Sequence, residues 1–151
     1  VMGGLRYAKS VGAGSIAVAC NQPAEISSAA EISILPVVGP EVVSGSTRLK
    51  AGTAQKMVLN MLTTGAMIKL GKTYGNLMVD LKPTNAKLRI RANRLVRQVT
   101  GVDEQTAQRA LVDCDWEVKP AIVVLIKAVS PAEARERLAA CGGMLRAVLE
   151  G

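Results

Sequence analysis

The sequence predicts an α/β fold, in which helices cover a parallel sheet, followed by a small helical module. Two short apolar runs, Ser15–Cys20 and Glu31–Val38, alternate with helical segments, and this order produces parallel strands joined by helical crossovers. From Gly101 onward the segments shorten to helices with tight turns. A hydrophobic share of 49% in 151 residues supports a packed core and excludes a disordered chain.

The first element is predicted to be a helix and the second a strand. Val1–Val11 places apolar residues on one helical face, and Gly12 ends the pattern. Ser15–Cys20 is a continuous apolar run, which is typical of a strand buried on both faces.

A short helix and a second strand follow. Pro23 is well placed for the first turn of a helix within Asn21–Ala30. Glu31–Val38 reads as a strand, and Pro36 marks its end or an edge position. Because two strands cannot make a doubly covered sheet alone, we expect the sheet to need strands that this chain does not contain.

Two longer helices come next. Lys50–Leu70 is predicted to be one helix, with Gly71 at its C′ position. We interpret its Met-rich face as a core or dimer contact rather than a cofactor site. Thr73–Pro83 is a connector without a clear period, and Asn85 caps a helix that runs to about Thr100. The apolar positions of the helix Lys50–Leu70 are Ala54, Met57, Val58, Met61 and Leu62.

The last third is predicted to be three short helices and a final amphipathic turn. Asp103 caps the first helix, Pro120 opens the second, and Ser130–Glu133 is a capping box for the third. The predicted domains are therefore residues 1–99 and residues 100–151.

The chain carries a formal net charge of +7, part of it on the predicted helix that Asn85 caps. We favour a solvated basic face over a nucleic-acid contact, because the chain has no aromatic platform and no zinc finger. We also find no signal peptide and no apolar run of about 18 residues, so we expect a cytoplasmic chain without a membrane partner. The cations of the helix that Asn85 caps are Lys87, Arg89, Arg91, Arg94 and Arg97.

The cysteines and the missing histidine limit the possible chemistry. Cys20, Cys114 and Cys141 are widely spaced and form no CxxC pair, and the chain has no histidine. We therefore expect no metal site, and we interpret all three thiols as core residues in a reducing cytosol. The usual base of a Ser-His or Cys-His nucleophile is also absent.

The candidate binding site is the loop Gly39–Thr47, between the second strand and the long helix. Its hydroxyls, the adjacent cations and the free N–H groups of a helix start suit an anion such as a sugar phosphate. Helix capping by Ser46 or Thr47 is an equally good explanation of the same residues. The candidate substrate-binding residues are Ser44, Ser46, Thr47, Arg48, Lys50 and Lys56.

The segments GPEVVSGSTRLKAGTAQKMVLNML and LGKTYGNLMVDLKPTNAKL carry a dense resemblance across Gly39 to Leu88. They resemble the signature region of the N-acetylmuramic acid 6-phosphate etherases, which are lyases with the sugar isomerase (SIS) fold. The resemblance implies that residues 1–99 are the C-terminal part of a SIS-type parallel-sheet, flavodoxin-like domain. It also implies that residues 100–151 form a UBA-like three-helix module.

The resemblance further implies a reaction, a partner and a cofactor requirement. The family cleaves the D-lactyl ether of N-acetylmuramic acid 6-phosphate without a metal or organic cofactor, and a homodimer is expected. Its acid/base glutamates would precede Val1, so the resemblance supplies no catalytic residue here, and we expect the chain to be inactive alone. The alternative is a non-catalytic SIS module similar to glucokinase regulatory protein.

Glu41 is the one acid in the loop region and a candidate base. Related SIS isomerases have a glutamate at this place in a similar motif. A partly desolvated carboxylate beside a sugar could act as a base if its pKa rose. The alternatives are a surface carboxylate or a partner of Arg48.

Overall fold

The computed structural model describes residues Val1–Gly151, which divide into two compact units, Val1–Thr64 and Gly65–Gly151. The structure is mostly helical and contains one small parallel sheet. No helix combines the length and the apolar composition needed to cross a membrane. The elements are α1 (Met2–Ser10), β1 (Ile16–Val18), a 3-10 helix (Glu25–Ala29), β2 (Ile32–Ile34), α2 (Lys50–Lys69), β3 (Thr73–Tyr74), β4 (Leu77–Met78), α3 (Ala86–Thr100), α4 (Glu104–Asp113), α5 (Val118–Lys127), α6 (Pro131–Ala140) and α7 (Leu145–Glu150).

In the first unit, β1 and β2 pair in parallel, as the order of elements predicts. Ile16 lies opposite Ile32 in the register. Ala17 is only 2% exposed, whereas Ile16 is 44% and Ile32 is 56% exposed. The prediction that the first strand is buried on both faces is therefore wrong, because the sheet is covered only on the face of Ala17.

The short helix of this unit starts later than predicted. It is a five-residue 3-10 helix, and its N-cap is Ala24 in an extended conformation. Pro23 therefore precedes the cap instead of occupying the first turn. The turn closes through the N–H of Ser27, which donates to the carbonyl of Ala24 at 3.0 Å.

Helix α2 has nearly the predicted bounds, and Gly71 follows it with a left-handed φ of 70°. Of its residues only Ala51 and Val58 are buried. Met57 is 55% exposed and Met61 is 62% exposed, so the Met-rich face is not part of a core in this chain. Its use as a dimer contact stays a prediction.

The connector after α2 contains a hairpin that we did not predict. β3 and β4 are antiparallel, and Tyr74 lies opposite Leu77. The two residues between them, Gly75 and Asn76, are a recognisable hairpin signal. Strands of two residues are too short to show an alternating pattern.

Helix α3 and the four helices after it share one core, whose fully buried side chains include Val96, Leu111, Ile122 and Leu145. Asn85 caps α3 as predicted, and its side chain accepts the N–H of Leu88 at 3.0 Å. Because α3 packs against α4 and α5, it belongs to the second compact unit. The division at residues 99 and 100 and the UBA-like assignment stay predictions.

The predicted caps of α4 and α6 are also observed. Asp103 accepts the N–H of Thr106 at 2.9 Å, and Ser130 accepts the N–H of Glu133 at 3.2 Å. These caps place the turns of the helical unit where the sequence predicts them.

Lys119 joins three separate turns of the second unit. Its ammonium donates to the carbonyl of Gly71 at 3.3 Å and to that of Gly143 at 3.1 Å, and it lies 3.0 Å from Asp80. Asp80 also pairs with Lys72. Burial favours a higher pKa for Asp80, but hydrogen bonds from Lys72 and Lys119 outweigh it and hold the pKa below its ordinary value.

The three cysteines differ in burial. Cys114 is buried, and desolvation raises its pKa to about 11. Cys141 is half-buried and packs against the core of the second unit, whereas Cys20 is half-buried and is not part of that core, so the expectation of three core thiols is wrong for Cys20. Cys20 lies after the end of β1, and Cys141 lies at the C-cap of α6.

Replacing Gly71 by alanine should destabilise the second unit more than the same change at Gly101. Both residues have left-handed φ angles, of 70° and 77°, which cost an alanine about 1–2 kcal/mol. A Cβ at Gly71 would also lie 2.7 Å from Sδ of Met144 and 2.9 Å from the carbonyl oxygen of Gly143, whereas one at Gly101 meets nothing within 4 Å. We expect Gly71→Ala to lose at least about 1 kcal/mol more in urea unfolding. Equal losses would contradict this account.

Candidate functional site

The carboxylate of Glu41 organises the loop that precedes α2. One oxygen accepts the N–H of Lys50 at 2.9 Å and the other accepts the N–H of Ala51 at 3.1 Å. The N–H of Ser46 donates to the carbonyl of Val43 at 3.3 Å, which closes a turn inside the loop. Glu41 therefore caps α2 from nine residues upstream and holds both ends of the loop together.

This geometry lowers the pKa of Glu41. The backbone hydrogen bond from Lys50 is the largest cause and that from Ala51 is the next. A base hypothesis for Glu41 depends on a raised pKa, and these hydrogen bonds act in the opposite direction. The geometry favours a capping role. Capping by Ser46 or Thr47, our other explanation of the loop, is wrong because Glu41 holds those N–H groups.

The three predicted hydroxyls lie together in the loop. Ser44 and Thr47 are exposed and Ser46 is half-buried. No hydrogen bond joins their side chains to another part of the chain, whereas Glu41 is fully engaged. The hydroxyls are therefore available to a ligand at the start of α2.

The predicted cations are exposed, but they do not all lie on one side. Lys50 is the first residue of α2 and Arg48 lies two residues before it, so both are close in sequence to the hydroxyls. Lys56 comes six residues later, which on an α-helix is about 9 Å along the axis and about 120° around it from Lys50. Ser44 to Lys50 are therefore neighbours in sequence at the start of α2, and Lys56 lies further along the helix.

One contact at this site was not foreseen. The thiol of Cys20 lies 3.5 Å from the carbonyl oxygen of Ala51. Residue Ala51 therefore has its N–H bound to Glu41 and its carbonyl facing Cys20. No signal in the sequence indicated this contact, because Cys20 was assigned to the predicted strand, whereas β1 ends at Val18 and Cys20 lies in the segment after it.

The basic side of α3 is exposed, as expected for a solvated face. Arg97 lies 3.5 Å from Glu104, and the guanidinium of Arg89 lies 4.7 Å from the ring centre of Trp116. Ile90 is 73% exposed among these cations.

A cavity of about 530 Å³ lies in the second unit and is lined by Leu81, Lys82 and Val118, among others. Two of its other cations are already paired, Arg135 with Asp115 at 2.8 Å and Lys119 with Asp80. The cavity therefore contains few polar groups that are free to fix a ligand.

The sequence of this chain is similar to those of known proteins. It is 56% identical over 150 residues to the N-acetylmuramic acid 6-phosphate etherases of Salmonella paratyphi B, Salmonella schwarzengrund and Salmonella enteritidis. The resemblance to the etherases is confirmed. The match covers 99% of this chain and 50% of each relative, within the C-terminal portion, so the chain spans about half the length of the curated relatives it matches.

A second comparison concerns the helical part. Residues 75–120 match the family described as the C-terminal lid domain of glucokinase regulatory protein. This range runs from the β3–β4 turn through α3 and α4 into the first turn of α5. It therefore joins α3 to the helices that follow it, as the shared core does.

Replacing Glu41 by glutamine should lower the stability of the first unit near neutral pH. Because the pKa of Glu41 is lower in the folded state, its contribution is fully present above its ordinary value of 4.5. That contribution is lost as the pH falls through the lower folded value. We expect the wild type and Glu41→Gln to differ in melting temperature at pH 7 and to converge in acid. Glu25→Gln, whose carboxylate makes no hydrogen bond, is the control, and a pH-independent difference would argue against the cap.

Proposed function

We propose that this chain is the sugar-phosphate-binding C-terminal half of a lyase that cleaves N-acetylmuramic acid 6-phosphate. The products would be N-acetylglucosamine 6-phosphate and D-lactate, as in the recycling of cell-wall sugar. The observation that carries the proposal is the 56% identity over 99% of the chain to etherases of that name.

The loop before α2 supports this proposal independently of the names. Its free hydroxyls and its two adjacent cations, Arg48 and Lys50, form one polar group beside a helix start. Arginine suits bidentate contact with a phosphate or carboxylate, and lysine suits a point contact. A sugar phosphate offers both hydroxyls and an anion to such a group.

The reaction that we propose is an elimination followed by hydration. A base removes the proton at C2 of the open-chain sugar, and an acid protonates the ether oxygen as D-lactate leaves C3. Water then adds across the new double bond. None of these steps oxidises or reduces the sugar, and we propose that no metal or organic cofactor takes part.

In this scheme, residues Ser44 to Lys50 bind and orient the sugar phosphate. Ser44, Ser46 and Thr47 hydrogen-bond the phosphate or the sugar hydroxyls, and Arg48 and Lys50 supply charge. Lys56 is a more distant electrostatic contributor. The acid and the base are supplied by the part of the etherases that lies outside the match, while Glu41 holds the loop in shape.

The same proposal includes the domain folds, the compartment and the oligomeric state that the resemblance implies. We propose a SIS-type domain for the α/β part and a UBA-like module for the last helices. The complete protein would be a cytosolic homodimer. Three unbridged cysteines are consistent with a reducing compartment.

Binding should depend on the cations beside the loop and not on charge elsewhere on α2. We expect Arg48→Gln and Lys50→Gln each to weaken calorimetric binding of N-acetylmuramic acid 6-phosphate by about tenfold or more, because each loses a charged hydrogen bond. Lys69→Gln makes the same charge change at the opposite end of α2, about 28 Å away, and should have little effect. Equal losses in all three variants would indicate only non-specific attraction to a basic chain.

The activity itself is tested by release of D-lactate. We expect the 151-residue chain to release none alone and to release D-lactate when it is combined with the N-terminal half of a Salmonella relative. Turnover by the chain alone would overturn the assignment of the acid and base to the other half. No turnover by the combination, despite tight binding of the substrate, would overturn the etherase proposal.

The second candidate is a non-catalytic sugar-phosphate-binding module similar to glucokinase regulatory protein. The match of residues 75–120 to the lid domain of that protein favours it. In this case the loop would bind a sugar phosphate reversibly, and the bound ligand would remain unchanged. Recovery of intact substrate from the reconstituted protein separates this candidate from the lyase.

A further inference from the structure

A second cavity, of about 420 Å³, lies between α3 and the start of α4, within the second compact unit. Asn93 lines it and is one of two buried polar residues in the chain, with 7% of its surface exposed. Its Nδ2 donates to the carbonyl of Glu104 at 3.0 Å and lies 3.5 Å from Oε1 of Gln108. Its Oδ1 accepts no hydrogen bond from the chain and is still reached by solvent. Because the rest of the side chain is buried, Oδ1 is an acceptor that opens into the cavity.

The side chain of Gln108 adds a donor beside this acceptor. Its Oε1 is directed to Nδ2 of Asn93, so its Nε2 group is directed elsewhere, and that group makes no hydrogen bond in the chain. The cavity wall therefore presents an unused acceptor and an unused donor on neighbouring amide groups. A ligand that complements them has a donor next to an acceptor, as the polar edge of a nucleobase does.

Trp116 supplies an aromatic surface in the same cavity. It is the single Trp of the chain, and it is half-buried. Its backbone has a left-handed φ of 64°, which bulky residues adopt rarely and which is found preferentially at ligand-binding positions. The guanidinium of Arg89 lies 4.7 Å from the centre of its ring. Planar Trp and Arg groups are the surfaces on which nucleobases stack.

The charge of the cavity suits an anion. Arg89, Arg94 and Arg97 line it together with one carboxylate, that of Glu104, so the walls have an excess of two positive charges. Arg97 lies 3.5 Å from Glu104, whereas Arg94 has no acidic partner. A free guanidinium binds a phosphate through two parallel hydrogen bonds.

We propose that this cavity binds a nucleoside monophosphate. The edge of the base hydrogen-bonds Asn93 and Gln108, its ring stacks on Trp116, and the phosphate meets Arg94. A volume of about 420 Å³ lies in the range of small-molecule sites. This site is additional to the proposed lyase function and does not rest on it, because none of its residues belongs to the loop before α2.

The test is a titration of the 151-residue chain with adenosine 5′-monophosphate, followed by tryptophan fluorescence. Because Trp116 is the single Trp, the signal comes from this cavity. We expect a saturable change with a Kd of about 1 mM or tighter. Ribose 5-phosphate and inorganic phosphate should bind at least about tenfold more weakly, because they lack the base that stacks.

Two exposed residues of the cavity provide variants with matched controls. Arg94→Gln should weaken binding of the nucleotide at least about tenfold, and Gln108→Ala about threefold or more, because each loses a hydrogen bond. Arg94→Gln should also bring the affinity for the nucleotide down to that for adenosine, which has no phosphate, whereas Gln108→Ala should preserve the difference. Arg109→Gln and Gln105→Ala are the controls, since they make the same or a similar change at exposed positions of α4 outside this cavity.

Each of three outcomes overturns the proposal. The first is the absence of a saturable fluorescence change, and the second is binding of inorganic phosphate as tight as that of the nucleotide, which would indicate only a basic surface. The third is an equal loss of affinity in the control variants. Thermal unfolding of every variant establishes that the helical unit remains folded. Because binding is measured without lactate release, failure of the lyase assay does not affect this test.

Discussion

The two hydrogen bonds from the backbone of α2 to Glu41 set the shape of the candidate site. Hydroxyls that follow a strand are often consumed in capping the next helix. Here a carboxylate from the start of the loop takes the N–H groups of Lys50 and Ala51, at 2.9 and 3.1 Å. Ser44, Ser46 and Thr47 remain unpaired, so one residue both anchors the loop and keeps its hydroxyls free. The same bonds lower the pKa of Glu41, which opposes a role for it as a base.

The second unit depends on close backbone approach rather than on long side chains. The chain has no Phe and only 2% aromatic residues, so Val, Leu, Ile and Ala fill its core. Gly71 lets the end of α2 approach the turn at Gly143, and Lys119 hydrogen-bonds the carbonyls of both residues. The half-buried ammonium of Lys119 has three partners, so its charge is not left unpaired.

Much of the helical structure could be predicted, because capping is a local property. Asn85, Asp103 and Ser130 each bind an N–H three residues ahead, within the reach of sequence reasoning. The hairpin at Gly75 was missed because its strands contain only two residues each. The membership of α3 in the helical core could not be predicted, since it depends on contacts with α4 and α5 across the chain.

The members of the candidate site stay a prediction, and the part that Glu41 plays in shaping the loop could not be foreseen. The loop and its polar residues were found from composition, but the reach of Glu41 across nine residues leaves no periodic signal. Cys20, whose thiol lies 3.5 Å from the carbonyl of Ala51, has a practical consequence. Cys114 is buried with a pKa raised to about 11, so it stays protonated and unreactive near neutral pH. With Cys141 replaced by serine, Cys20 becomes an attachment point for a fluorophore beside Ala51, the second residue of α2.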